Sequence, residues 1–406
     1  MGITTGISSF IGEVLIGQPY PVFFDPHIAL LNNKPPVTLI TGSPGSGKTF
    51  FGLLLAAQAS IANKMIFIID PKGDFLSLEM LRRHGDIENV HTWTIFSGED
   101  TDEIKNDNIG ILDPLHLKGN IHQKTERTRD VIKTLVGNLT DKQNNYISPL
   151  IEDEIKSSGN RQASFINIAD ILYSNKDEEI RVIGTKLRNI LGLPISKLIS
   201  ADKRIPRKDF NLKKGCFVAS LMGLKLPDSE KTQDNMTSEE RVSIVIMTLL
   251  TDMVMEAMKD IKNVPKLIII DEAWSVMSTP QGRSLINSAA LLGRSLNQAV
   301  ILLTQSPAHI LPKNPSDAKL DNTISTRFAF RNTNLDDNKI TVENMGLPAE
   351  ANWETFLTDL RSGSCLMNDI YGNSQFIHIM VPEEWHEPFN TNPLAKAKKS
   401  KKRNNP

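Results

Sequence analysis

One octapeptide constrains this chain more than anything else in it. Gly42-Ser43-Pro44-Gly45-Ser46-Gly47-Lys48-Thr49 follows the short β-branched run 37–41 and precedes an apolar helical stretch over 50–63. Strand, glycine-rich loop and helix in that order make a complete GxxxxGK[ST] phosphate loop. Gly42, Gly45 and Gly47 permit backbone angles closed to other residues, so successive N–H groups can turn inward as an anion nest at a helix N-terminus. Within the loop, Lys48 is expected to reach the β and γ phosphates of ATP, and the Thr49 hydroxyl to ligate magnesium. Ser43, Pro44 and Ser46 complete the expected nucleotide-binding stretch, with ATP and magnesium as the cofactors.

Three further apolar runs read as strands buried on both faces of a parallel sheet, and each ends in polar residues. Residues 65–69 lead into Asp70-Pro71-Lys72-Gly73-Asp74, 267–270 into Asp271-Glu272, and 300–303 into Thr304-Gln305. Ligands in open α/β sheets bind outside the carboxyl ends of strands. Asp271 is therefore expected to hold magnesium through water, and Glu272 to polarise the attacking water; an N-cap of a following helix is the alternative use of this pair. Gln305 can orient that water and sense the γ phosphate, or be a plain surface amide. Arg294, near the end of a helix expected over 283–295, fits an arginine finger supplied to a neighbouring subunit, or a cation at a helix C-terminus. Arg327 and Arg331, together on the run 326–330 and its end, are secondary finger candidates.

The rest of the chain divides by texture. Residues 1–35 read as a lead segment, 36–115 as the first part of a P-loop, RecA-like core, and 116–210 as an inserted all-helical domain with helices over 125–139, 142–157 and 178–193. Residues 211–385 resume the core, with strands over 216–221, 364–367 and 376–380 and a long helix over 238–261. A basic tail over 386–406, expected to be disordered, closes the sequence. The expected fold is α/β, a mainly parallel sheet flanked by helices. Formal net charge is −1, and six cations with no acid lie in 393–406, so the body carries −7. An acidic body argues against a protein that coats duplex DNA over a broad basic face; weak binding of an anionic polymer by the tail stays open. No run reaches the roughly 18 apolar residues of a membrane span. Two cysteines make no disulfide framework, and eight scattered histidines make no metal motif.

In order along the chain, the phosphate loop, Asp70-Pro71-Lys72-Gly73-Asp74, Asp113-Pro114-Leu115, the helical stretch, Asp271-Glu272-Ala273-Trp274, Thr304-Gln305 and Gly363-Ser364-Cys365-Leu366-Met367-Asn368-Asp369 resemble the ATPase domain of conjugative-transfer ATPases of type IV secretion systems. That family is a branch of the FtsK and HerA superfamily, and the resemblance spans about residues 15 to 385. It implies a magnesium-dependent ATPase that works as a homo-oligomer, a hexamer among the options. It also implies partners among inner-membrane channel proteins and other secretion ATPases, and a cytoplasmic, peripheral place at the inner face of the bacterial membrane. A ring-forming DNA translocase or coupling protein is the rival enzyme, and a nucleotide-gated scaffold the non-enzymatic one. The family's large N-terminal domain is missing from this sequence, which implies a fragment or a separate partner chain. Asp74 and Asp113 stand where the family more often has Glu and Asn.

Overall fold

β-branched and leucine-rich runs with no polar face are stable only when covered on both sides, and here they lie side by side. In this computed structural model the described residues are 8–94, 108–158, 163–200, 215–227, 231, 233–305, 307–310, 323–348 and 351–390. The basic stretch 393–406, with any role of its cations, lies outside them. Eleven strands form one sheet: β1 (Ser9–Val14), β2 (Pro21–Phe24), β3 (Val37–Thr41), β4 (Met65–Asp70), β5 (Val90–Thr94), β6 (Cys216–Ser220), β7 (Lys266–Ile270), β8 (Gln298–Thr304), β9 (Ile324–Phe330), β10 (Ser364–Asn368) and β11 (Ser374–Ile379). Their order is β2-β1-β11-β10-β9-β3-β8-β7-β4-β6-β5. From β9 to β5 all neighbours are parallel, whereas β10, β11, β1 and β2 alternate antiparallel along the other flank.

The helices are α1 (Ile28–Leu31), α2 (Lys48–Ile61), α3 (Leu78–His84), α4 (Ile121–Val136), α5 (Asp141–Ser157), α6 (Phe165–Tyr173), α7 (Glu178–Leu191), α8 (Ser238–Lys259), α9 (Trp274–Met277), α10 (Pro280–Leu296), α11 (Leu335–Asn344), α12 (Trp353–Asp359) and α13 (His386–Phe389). Period-two alternation sends Ile40, Ile68, Ile269 and Leu303 to one face, where they meet Phe51 and Leu54 of α2 and Leu81 of α3. Leu39, Phe67, Ile268 and Leu302 go to the other face and meet α4 to α8 and α10. The fold is thus the expected α/β P-loop architecture.

Several elements go beyond the sequence reading. Residues 9–24, inside the expected lead segment, supply β1 and β2 to the sheet, and α13 lies within the expected tail, with Phe389 buried and edge-on to Phe50. Strand β5, whose His, Thr and Trp residues give no apolar run, forms the far edge. Among the described residues of 116–210 there are only helices, and α6 joins the three that were expected. Its start has no side-chain cap of its own. Instead, Asp113 Oδ2 accepts from the Phe165 N–H at 3.2 Å and Glu154 Oε1 from the Ser164 N–H at 3.1 Å. Asp113, fully buried, is therefore a structural carboxylate that caps a helix from a distance. A second buried tie holds the helical layer down: Arg127 of α4 pairs with Asp252 of α8 and donates to the Lys118 carbonyl at 2.9 Å.

At the amino ends of the central strands a buried charge cluster joins the N-terminal segment to the sheet. Asp25 accepts from Lys64 Nζ at 2.6 Å, and His27 bridges Asp25 to the Lys266 carbonyl, with its Nε2 3.0 Å from that oxygen. Burial works to raise the Asp25 pKa, but hydrogen bonds from His27 and the charge of Lys64 outweigh it and bring the group down to about 2. A carboxyl held below its unfolded value near 3.9 stabilises the fold above about pH 4 and loses that contribution as pH falls toward 2. Asp25→Asn should accordingly cost about 3 kcal/mol near neutral pH, since it strands the buried Lys64 charge. Denaturant unfolding at a series of pH values should show the gap between parent and variant narrowing below pH 4. A gap that stays constant down to the lowest pH at which the parent folds would contradict this account.

Candidate active site

The carboxyl ends of β3, β8, β7 and β4 lie next to one another, so the polar residues that close these strands meet along one edge of the sheet. The loop 42–47 leaves β3 and delivers Lys48 as the first residue of α2. Its glycines are required by space as well as by angle. At Gly42, with φ of +154°, a Cβ would sit 2.6 Å from Ser46 Oγ and 2.7 Å from Phe330 Cβ; at Gly47, with φ of +108°, it would sit 3.0 Å from the Gly363 nitrogen. Gly45, at φ of +73°, faces open space.

Segments far away in sequence hold the loop in shape. Ser43 N–H donates to the Arg331 carbonyl at 3.0 Å and Ser43 Oγ to Asn332 Oδ1 at 2.9 Å. Ser362 Oγ donates to the Gly45 carbonyl at 2.9 Å, and the Gly363 N–H to the Ser46 carbonyl at 2.9 Å. These clamps were not foreseen; the only sequence signal for them was the glycine at 363, which adopts φ of +82°.

Lys48 is buried, and burial lowers its pKa against the pull of Asp271 and Glu272. Asp271 is fully buried, and burial followed by repulsion from Glu272 raises it to about 6. Burial and then Asp271 push the neighbouring Asp70 up to about 7. Asp70 is occupied locally: its carboxylate accepts from the N–H groups of Gly73, Asp74 and Phe75 at 2.8, 3.2 and 2.9 Å, which folds the turn after β4. Glu272 has a left-handed backbone at φ of +49°, a conformation that costs a non-glycine residue about 1 kcal/mol or more and is typical of functional sites. Its Oε1 accepts from Lys72 Nζ and, at 2.8 Å, from Gln305 Nε2, and its Oε2 accepts from Trp274 Nε1 at 2.9 Å. Burial alone would raise Glu272, yet Lys72, Gln305 and Lys48 lower it below the usual glutamate value.

The alternative use of the acidic pair as a helix cap is absent. The short α9 follows, with Ala273 at its N-cap position and no side-chain cap bond. Thr49 is half-buried in the first turn of α2. Arg294 does not join the cluster within its own chain. It is exposed on the last turn of α10, at the opposite end of β8 from Gln305, about 20 Å away at ~3.3 Å per strand residue. Arg331 borders the loop through its carbonyl, while Arg327 lies four residues back along β9, level with Leu39.

Two observations fit the residues to a magnesium nucleotide. At Gly42 and Gly47 the cradle has no room for a Cβ, and two buried side-chain oxygens at the site, Ser46 Oγ and Asp271 Oδ2, have no hydrogen-bond partner. Among the described residues no group of three His, Cys, Asp or Glu side chains can hold a metal alone. Magnesium binds through one or two protein ligands together with phosphate oxygens and waters, and the unpartnered Asp271 Oδ2 is an oxygen of the kind it takes.

Residues 22–389 match the AAA-like domain family. The chain belongs to that family. It is 24% identical over 386 residues to the uncharacterized protein YddE of Bacillus subtilis strain 168, an alignment that takes in 88% of this chain and 43% of that protein, so the chain spans less than half of this relative. VirB4 of Thermoanaerobacter pseudethanolicus shares the fold with a TM-score of 0.73 and 16% identity, over 95% of this chain and 99% of that one. The conjugative coupling protein TrwB, solved with ADP and Mg2+, shares it with a TM-score of 0.57 and 12% identity over 87% of each chain. Among the described residues of the present AAA-like chain, no helix is long and apolar enough to cross a membrane.

Asn332 is the hub of the loop's far support, since it also accepts from the Asn334 N–H and donates to Asp337 of α11 at 3.2 Å. Asn332→Ala should cost about 1–3 kcal/mol, because Ser43 Oγ and Asp337 lose a buried partner. Hydrogen exchange should accelerate over residues 42–47 while α8 keeps its protection. Unchanged exchange in the loop would remove Asn332 from its support.

Proposed function

We propose that this chain is a magnesium-dependent ATPase that powers a type IV secretion or conjugative DNA-transfer apparatus from the cytoplasmic face of the membrane, working as a homo-oligomer. The observation that carries the enzymatic half is the meeting of Lys48, Asp271, Glu272 and Gln305 at adjacent strand ends, beside a loop in which Gly42 and Gly47 have no room for a side chain. In this reading the N–H groups of Gly45, Gly47, Lys48 and Thr49, together with the Lys48 ammonium, bind the phosphates, and Thr49 with Asp271 holds magnesium. The metal supplies charge neutralisation at the transferring phosphoryl group. Glu272 takes the proton of the attacking water, and Gln305 fixes both the carboxylate and that water. The transport half rests on fold likeness to VirB4 and TrwB, and nucleotide and magnesium binding by TrwB supports the choice of cofactors.

Fold likeness to TrwB keeps the coupling-protein reading as the second one. In either case Arg294 has work to do only from a neighbouring copy, given its distance from its own chain's site.

Lys48→Ala should abolish nucleotide affinity in a titration with magnesium and ATP, because the loop loses its buried cation. Glu272→Gln should keep that affinity and lower turnover by roughly 100- to 10,000-fold in a phosphate-release assay, the usual cost of removing a general base. Normal hydrolysis by either variant would sink the site assignment. Arg294→Ala should hydrolyse poorly yet regain activity when mixed with Glu272→Gln copies; mixtures no more active than their parts would dismiss the finger.

A further inference from the structure

The ion pair between Lys72 and Glu272 joins residues 200 apart in sequence, and the proposed hydrolysis gives it no part. It is built rather than incidental. Asp70 folds the turn that carries Lys72 by accepting three backbone N–H groups. Gly73 lets that turn close at φ of +79°, where a Cβ would sit 2.5 Å from Met222 Sδ. On the other side, Trp274 and Gln305 fix the carboxylate. The two partners differ sharply in freedom: the Glu272 side chain is 3% exposed, the Lys72 side chain 45%.

A carboxylate in this state is a poor base. Oε1 already accepts from two donors, so the side facing Lys72 has no lone pair left for a water proton. A neighbouring ammonium also stabilises the ionised form that proton uptake must discharge. Lys72 further lies close enough to Lys48 for each charge to oppose the other, and the loop beside them is shaped for phosphate. An anion seated there offers Lys72 a second partner.

We propose that Lys72 is a positioning residue that exchanges anions: it holds Glu272 paired while the loop lacks a terminal phosphate, and leaves it for that phosphate when a nucleoside triphosphate binds. The base is thereby freed only when there is something to hydrolyse. This inference rests on the ATPase reading above and adds to it a means of telling triphosphate from diphosphate.

Calorimetric titration of the full chain with magnesium and either ADP or the non-hydrolysable analogue adenylyl imidodiphosphate tests it. Lys72→Met should weaken the analogue about fivefold or more, the worth of one partly exposed charge contact, and leave ADP within about twofold. The same selective loss should persist when Lys72→Met is placed on Glu272→Gln, where no unmasked carboxylate can repel the nucleotide, and Lys72→Arg should restore most of it. In a crystal of the parent with the analogue, Lys72 Nζ is expected on the terminal phosphate and away from Glu272.

Equal weakening of ADP and analogue would reduce Lys72 to a support of its turn. A selective loss that disappears on Glu272→Gln, or a lysine still on Glu272 with the analogue bound, would likewise overturn the exchange. A parent that binds neither nucleotide overturns the ATPase reading itself, and the exchange falls with it; binding without selectivity overturns the exchange alone.

Discussion

Asp70, Asp271 and Glu272 end two neighbouring parallel strands, and burial together with mutual repulsion makes them an unfavourable group to assemble. Everything around the site answers that repulsion. Lys48 and Lys72 bring two cations, the turn after β4 turns three N–H groups toward Asp70, and Gln305 and Trp274 donate to Glu272. Of these three carboxylates, Asp271 keeps a buried oxygen, Oδ2, with no hydrogen-bond partner among the described residues. Polar chemistry is concentrated at this edge because the strands that lead to it are apolar on both faces and can carry none along their length.

The same geometry separates two kinds of buried charge. At the carboxyl ends of the strands Asp70 and Asp271 are raised and Asp271 Oδ2 has no hydrogen-bond partner, as expected where a ligand completes the set. At the amino ends, the Asp25, His27, Lys64 and Lys266 cluster is satisfied internally, and Lys266 Nζ donates to the Met258 carbonyl at 2.9 Å. One end of the sheet is closed by its own groups; the other keeps buried side-chain oxygens without partners.

How much of this could be read beforehand follows from sequence distance. The phosphate loop, Asp271-Glu272 and Thr304-Gln305 were legible because each is a local pattern: an apolar strand that ends in the group it delivers. The parallel core strands were legible for the same reason. Strand β5 and the β1–β2 pair were not, since these strands at the two flanks of the sheet mix polar and apolar residues, and Glu13 interrupts β1. The Lys72–Glu272 pair, the Asn332 hub and the helix cap from Asp113 join residues 52 to 289 positions apart, and no local pattern announces such partners. Asp25, His27 and Lys64 look like ordinary surface residues in sequence and are buried only because they have one another.

The clamp on the phosphate loop has a temporal side. Ser362 and Gly363, which bond to Gly45 and Ser46, are made more than 300 residues after the loop they brace. Chains emerge at about 5–20 residues per second, so a nascent chain carries the whole loop for some tens of seconds before its brace exists. Over that interval β3 lacks both of its sheet neighbours, β8 and β9, for most of the time. The loop is thus braced only long after its own residues have been synthesised.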